Sequence, residues 1–441
     1  MSTTSAVAME VPALQRALVK ARWRLIPLLS ICYLVAYMDR ANVSFAAETL
    51  NRDLGFSPEV YGLGAGIFFL SYAMAEIPSN RMLLRFGPRR WLARIMLTWG
   101  ILAAAMLFIR GPWSWYGMRL LLGFAEAGYF PGAIFYLSQW FPAEQRARVI
   151  SLFYIAFPLS NVVMGGLAGS LLGMNGKMGL AGWQWLFLIE GLPAVMLSAV
   201  IWFALPDGPR DAKWLSLEER GALAAELEND PVAKRDAAAG GDHGRGMWKA
   251  LKSGPAWTIG LVFFFTLGSN YALSFSLPLI LKELTGGNAG QVGYVVAGVG
   301  LVGAAAMLWN AAHSDKTGER KWHIALPAIL MGASLLVAGL HLHGWGAVAA
   351  LTVGSSAFFA MQGPLLGLPT MILSGEAAAV AIAMLTMCGV AGGFVGPYWT
   401  GWMRETTGSY AAGLAALCVP CWLAAVCMLR LMRHIPQRAS V

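Results

Sequence analysis

The chain has 441 residues, of which 57% are hydrophobic and only 12% charged, with a mean hydropathy of +0.59. An ordinary soluble domain carries about 25% charged residues and must keep a polar exterior, so this composition excludes a disordered chain, a disulfide scaffold and most soluble enzymes. The net charge of +9 would suit nucleic acid, but in so apolar a chain it reads as basic loops on the cytoplasmic side of a membrane.

Residues 1–24 hold Arg16, Lys20, Arg22 and Arg24 and no apolar core, and read as a basic cytoplasmic tail, not a cleaved signal. A helix needs about 20 apolar residues to cross a bilayer. Runs of that kind follow near 25–47, 59–80, 91–110, 114–140, 147–172 and 183–205. Residues 206–255 break the rhythm with 17 of the chain's 55 charges. Within them Ser216 and Glu219 have capping-box spacing, so a short surface helix is expected there. Ala237–Gly241 reads as flexible. Six more runs fall near 256–281, 289–312, 323–342, 346–372, 379–403 and 409–431, before a short tail at 432–441. The expectation is an all-α integral membrane protein of twelve helices, with bundles at 25–205 and 256–431 joined by a cytoplasmic linker.

With both termini in the cytoplasm, 25 of the 32 Lys and Arg fall on that side and 5 on the other. This bias predicts the orientation. The halves also look related. Arg85-Phe-Gly-Pro-Arg-Arg follows the second run and Asp315-Lys-Thr-Gly-Glu-Arg-Lys the eighth, placing Gly87 and Gly318 231 residues apart. Glu144 and Glu376, expected to open the fifth and eleventh helices, are 232 apart. Two pseudo-symmetric six-helix halves suit a rocking-bundle transporter with its substrate site between them.

Charges at bilayer depth are costly and normally face protein or a water-filled cavity. The deep ones are Asp39 and Arg40 in the first run, Glu76 in the second, Arg119 and Glu126 in the fourth, and Glu190 in the sixth. The second half offers neutral groups instead: Asn270, Tyr271, Ser355, Ser356, Gln362 and Thr386. Arg119 and Glu126 are seven apart and share a helix face. A guanidinium can grip a carboxylate by two parallel hydrogen bonds, and a carboxyl withdrawn from water can load and release a proton. Asp39 and Arg40 point about 100° apart on a helix, so one is expected to face the cavity and the other a neighbouring helix. Internal ion pairs that only fix packing are the competing reading. It is favoured for Glu190, and for Glu76 beside Pro78 and Arg81, where a gate network is the functional alternative.

Tyr37 and Tyr72 are candidate ligand contacts, while most other aromatics belong to packing or interfacial belts. The six His lack metal-ligand spacing with a carboxylate, and Cys418 and Cys421 form a lone C-x-x-C inside a spanning run. G-x-x-x-x-G-K-[ST] is absent. No cofactor, no metal and no nucleic-acid partner is expected.

Four stretches carry a family resemblance: Tyr37-Met-Asp-Arg-Ala-Asn-Val-Ser-Phe-Ala, Arg119-Leu-Leu-Leu-Gly-Phe-Ala-Glu-Ala-Gly-Tyr-Phe-Pro-Gly, Gly182-Trp-Gln-Trp-Leu-Phe-Leu-Ile-Glu-Gly-Leu-Pro and Ala212-Lys-Trp-Leu-Ser-Leu-Glu-Glu-Arg. With Gly392-Gly-Phe-Val-Gly-Pro-Tyr they span nearly the whole chain. The ordered set resembles the major facilitator superfamily, and within it the anion:cation symporter family of tartrate, sugar-acid and aromatic-acid permeases. The resemblance implies proton-coupled symport of an organic carboxylate anion. It makes Asp39 and Glu126 the proton-coupling groups. Arg40, Arg119, Tyr37 and Tyr72 become substrate contacts, to which the neutral groups Asn270 and Gln362 are added. Glu76, Arg85, Arg89, Asp315 and Arg320 form the gating set. Two positions depart from the family pattern. Leu84 stands where an aspartate is usual, implying a weaker latch in the first half. Val390 stands where many relatives have an asparagine, implying a less hydroxylated ligand than a sugar acid.

The leading expectation is thus a monomeric, bacterial plasma-membrane importer of an organic anion with protons. An anion exchanger and a drug–proton antiporter are the alternatives, although Arg40 and Arg119 disfavour a cationic drug. A membrane enzyme or receptor would need a catalytic constellation or a soluble domain that the chain lacks.

Overall fold

The computed structural model describes residues 3–229, 248, 251–340, 344–372 and 375–432. The stretch 237–241, His243, His341, His343, His434 and the tail 433–441 lie outside them, as do the side chains of Glu144 and Glu376. Among the described residues the regular elements are all helices. The first half comprises α1 (Thr3–Leu54), α2 (Pro58–Phe86), α3 (Pro88–Ala105), α4 (Pro112–Glu126), α5 (Tyr129–Ser138), α6 (Ala143–Tyr154), α7 (Ala156–Leu172) and α8 (Gly182–Ala204). After α9 (Leu217–Asn229) come α10 (Gly254–Thr285), α11 (Ala289–Thr317), α12 (Lys321–Leu340), α13 (Gly344–Ile372), α14 (Gly375–Thr407), α15 (Tyr410–Ala416) and α16 (Cys418–Leu431).

Eleven helical spans among the described residues are long and apolar enough to cross a membrane. They match the second to twelfth expected runs. The first run lies in α1, whose apolar stretch is interrupted by Asp39, Arg40 and Asn42. Packing against α7, α8 and α10 keeps α1 inside the bundle nonetheless. The basic segment before it is helical as well, since α1 is one continuous helix of 52 residues.

Three expected runs are broken, each for the same reason. Proline lacks the N–H for the bond to the carbonyl four residues back, and its ring crowds that carbonyl. Pro131 frees Ala127, and α4 ends at Glu126. Pro158 frees Tyr154, where α6 ends. Pro420 frees Ala416, where α15 ends. At the first break the freed Ala127 carbonyl accepts from Ser79 Oγ at 2.7 Å, and Ser79 Oγ in turn accepts from Trp91 Nε1 at 3.0 Å. Gly128 turns the chain there with φ 90°, and a side chain would collide with Ser79.

The surface helix begins as expected. Glu219 N–H donates to Ser216 Oγ at 3.1 Å and Ser216 N–H to Glu219 Oε2 at 2.9 Å. Glu219 also anchors this helix to α1, accepting from Lys20 Nζ at 2.7 and 2.8 Å. Burial opposes its charge, but the hydrogen bonds from Lys20 and the Ser216 N–H, with the charges of Lys20 and Arg16, hold its carboxyl below the usual glutamate range.

The halves meet where α2 packs on α14, α7 on α11 and α1 on α10. We call the end at which α1 begins and α9 docks the terminal face. At the opposite face the halves touch backbone to backbone. A Cβ at Gly165 would overlap the Gly293 carbonyl, and one at Gly293 the Gly165 carbonyl. Gly62 and Gly401 likewise oppose Pro397 and Pro58. Such approach requires glycine. Tyr61 OH donates to the Phe275 carbonyl at 2.9 Å, and an ion pair joins Glu48 to Lys282.

Candidate functional site

Arg40 sits on α1 at the centre of the molecule, between the halves. Its Nη2 donates to Glu126 Oε1 at 2.5 Å and its Nη1 to Tyr271 OH, on α10, at 3.4 Å. The guanidinium lies 4.7 Å from the Tyr37 ring centroid, 5.3 Å from Tyr72 and 5.4 Å from Phe68. Desolvated cations are stabilised by such rings. Two valences stay open in this core: Arg40 Nε and Glu126 Oε2 are buried without a hydrogen-bond partner. The break of α4 at Pro131 leaves Glu126 as its last helical residue, facing Arg40.

Arg40, Tyr37 and Tyr271 form a layer between two lobes of a cavity. The lobe towards the opposite face is lined by Asn161, Asn270, Ser274 and Ser355 among aromatic rings. The lobe towards the terminal face is lined by Tyr33, Tyr72, Glu76, Tyr154, Thr386 and Val390. Tyr37 stacks on Phe157 with centroids 3.8 Å apart, and Tyr33 OH donates to Tyr37 OH at 3.3 Å. Asn270 Nδ2 is buried without a partner. The combination can hold a planar or apolar body against rings while a cation meets its negative end.

The expected site residues separate into groups. Arg40, Tyr37, Tyr72 and Asn270 line the cavity. Arg119, expected at the ligand, is not among these lining residues. It is fully buried, its Nε and Nη2 donating to the Gly64 and Ala65 carbonyls of α2 at 3.3 and 3.2 Å, over the Phe68 ring. Glu126, on the same helical face as Arg119, pairs with Arg40. Gln362 also lies outside the lining, accepting from Tyr154 OH at 3.4 Å across the halves. Asp39 turns away from the cavity, as its 100° offset from Arg40 requires. It accepts from Asn42 Nδ2 at 3.1 Å and Trp99 Nε1 at 3.0 Å. Glu76 lines the cavity, although the sequence placed it in a gate network.

Arg85, Arg89, Asp315 and Arg320 lie at the terminal face. Arg89 N–H donates to Asp207 Oδ1 at 3.1 Å, and Asp315 pairs with Arg320 at 2.5 Å. These contacts stay within each half. Asp207 was not singled out from sequence, since it follows α8 and comes 118 residues after Arg89. Tyr33 and Tyr154 were also missed. Tyr33 had a legible signal, because it lies one turn before Tyr37 on the same face.

The Major Facilitator Superfamily model matches residues 29–397. A relative from Agrobacterium vitis named "Putative tartrate transporter" is 43% identical over 425 residues, covering 96% of each chain. A "Quinolone resistance transporter" from Acinetobacter baumannii is 38% identical over 397 residues, 90% of each. Among solved structures, a bacterial homolog of the human lysosomal transporter Spinster, inward-facing and unoccupied, superposes with a TM-score of 0.73 at 18% identity. It covers 93% of this chain and 97% of that one. Its low identity speaks for the fold alone, while the family match and the relatives extend over most of the sequence. The chain belongs to the major facilitator superfamily and is a multi-pass membrane transporter.

Proposed function

We propose that this protein imports an organic carboxylate anion together with protons, by alternating exposure of the cavity between its halves. The observation that carries the reading is that Arg40 lines an aromatic cavity while it pairs with the buried Glu126. Ionised Glu126 occupies Arg40. A proton on Glu126 removes that competitor, so the guanidinium can take the carboxylate of a ligand by parallel hydrogen bonds. Loss of the proton restores the pair and displaces the anion. Asp39, the second carboxyl group, acts on the same side of the cycle. The name of the Agrobacterium vitis relative supports an organic acid as substrate. The rings around Arg40, and Val390 in the lining, favour a ligand with few hydroxyls. The glycine contacts at the opposite face support access from the terminal face, which the basic loops make cytoplasmic in a bacterial plasma membrane. All the residues this reading invokes come from one chain, so a monomer suffices for it.

A second reading, proton-coupled efflux, draws support from the relative named for quinolone resistance. One experiment separates them. Purified protein in liposomes with an internal pH dye is given tartrate, dicarboxylates, sugar acids and aromatic acids in turn. Acidification with one class, abolished in Arg40→Ala, is the expected result. Labelled exchange without proton flux would overturn symport in favour of an exchanger. Proton movement opposite to substrate would establish the antiporter. In the same assay Glu126→Gln keeps counterflow within about threefold but loses proton-driven accumulation, because the neutral amide no longer cycles a charge. Equal loss of both activities would make Glu126 structural.

A further inference from the structure

Glu76 of α2 lines the lobe towards the terminal face and takes no part in the mechanism above. Among the described lining residues of that lobe, Arg40 is the one cation and Glu76 the one carboxyl group. Arg40 gives its ion pair to Glu126, and Glu76 has none among the described residues. The other polar side chains there are hydroxyls, such as Tyr33, Tyr154 and Thr386, which can donate hydrogen bonds but carry no counter-charge. From Tyr72 to Glu76 is four residues, one helical turn towards the terminal face, so the two share a face about 6 Å apart along α2. The Arg40 guanidinium lies 5.3 Å from the Tyr72 ring centroid. The spacing of cation and carboxyl group along the lobe therefore suits one substituted ring. Tyr33, Phe130 and Tyr154 wall the lobe, with centroids 5.3 to 6.1 Å apart. Ring faces of this kind accept both a flat body and a cation.

We propose that this lobe takes an aromatic zwitterion: its carboxylate on Arg40, its flat body against the ring wall, and a protonated nitrogen on Glu76. The inference rests on the reading of Arg40 as the partner of the ligand's carboxylate, and narrows the acid to one with a basic group about one ring away. Charge balance carries it. Glu76 is half-buried, so it keeps some water while the lobe is open. Closure over a plain monoanion satisfies Arg40 but leaves an ionised Glu76 dry and uncompensated, which is costly at bilayer depth. A dicarboxylate of the same length would set like charges together. A protonated nitrogen at the far end of the ligand supplies the missing charge, and its hydrogen bond to a carboxylate is of the strong, charge-assisted kind. Glu76 is then a specificity-determining residue that selects among acids which Arg40 alone would accept.

The test uses full-length protein in nanodiscs at neutral pH and two probes of one shape: para-(aminomethyl)benzoate, a zwitterion, and para-ethylbenzoate, its isostere with an uncharged tail. Calorimetric titration gives the Kd of each. Wild type should bind the zwitterion about tenfold or more tighter than the ethyl compound. Glu76→Gln should bring the two within about threefold, by weakening the zwitterion while para-ethylbenzoate keeps its affinity. That retained affinity shows that the variant is folded. Equal binding of both probes by wild type, binding of neither, or an undiminished preference in Glu76→Gln would each overturn the proposal. Arg40→Ala tests the underlying reading separately. If it leaves the affinity for para-ethylbenzoate unchanged, Arg40 is not the partner of the carboxylate, while a preference lost in Glu76→Gln still assigns Glu76 to the basic group.

Discussion

Arg119 and Arg40 show how two guanidiniums at the same depth acquire different work. Arg40 points into space between helices from both halves. Arg119 meets carbonyls of α2 at Gly64 and Ala65 and is sealed beneath Phe68 and Trp115. A charge buried on carbonyl oxygens holds two helices together and is costly to remove. Arg119→Ala should therefore lower stability by about 3 kcal/mol, read as a drop in the thermal unfolding midpoint. The fraction that folds should keep its affinity for the transported anion in a binding assay. Lost affinity with unchanged stability would return Arg119 to the ligand site. Both arginines were legible in the sequence as deep charges, but their division of labour was not. Helical periodicity fixes the angle between residues on one helix, and says nothing of which neighbour occupies that angle.

Elements in this protein are set largely by proline and glycine. Pro131, Pro158 and Pro420 each end a helix at the carbonyl they cannot pair, whereas Pro78, Pro193, Pro278 and Pro397 are absorbed within continuous helices. Hydropathy alone reads straight through all of them. Gly165 and Gly293 let α7 and α11 approach to backbone contact. Gly165→Val should hold these helices apart and open the opposite face, seen as faster labelling of cysteines introduced near Gly169 and Gly290. Unchanged labelling would mean that the contact is not needed for closure. The docking of α9 on α1 has its own pH dependence. Because the folded Glu219 carboxyl lies below the usual glutamate range, its contribution is complete above that range and is lost as pH falls through the lowered value. Hydrogen exchange of residues 217–229 should accelerate in that acid window, and in Glu219→Gln at neutral pH already.

At the scale of the whole molecule, the described contacts between halves favour one face. Glu48–Lys282, Tyr61 to the Phe275 carbonyl and Tyr398 to Glu59 all join the halves away from the terminal face. Arg89, Asp315 and Arg320, expected to act in gating, make their ion pairs within a half, Arg89 with Asp207 and Asp315 with Arg320. Glu48→Lys should repel Lys282 and shift the population towards a form open at the opposite face, measured by spin-label distances across that face. Glu48→Lys combined with Lys282→Glu should restore the wild-type distribution. A double variant no different from the single one would remove the ion pair from the closure.

Length of the apolar runs, the distribution of Lys and Arg and the two related halves were determined by sequence alone, because crossing a bilayer imposes a local requirement on about 20 consecutive residues. The same local logic marked Asp39, Arg40, Glu126 and Glu190 as anomalies and placed the Ser216–Glu219 cap. Partner choice belonged to the tertiary structure. That Glu126 meets Arg40, that Arg119 meets the carbonyls of α2 and that Asp207 meets Arg89 depends on helices far apart in the chain. These contacts are made by packing, whose geometry the spacing of residues along one helix does not contain.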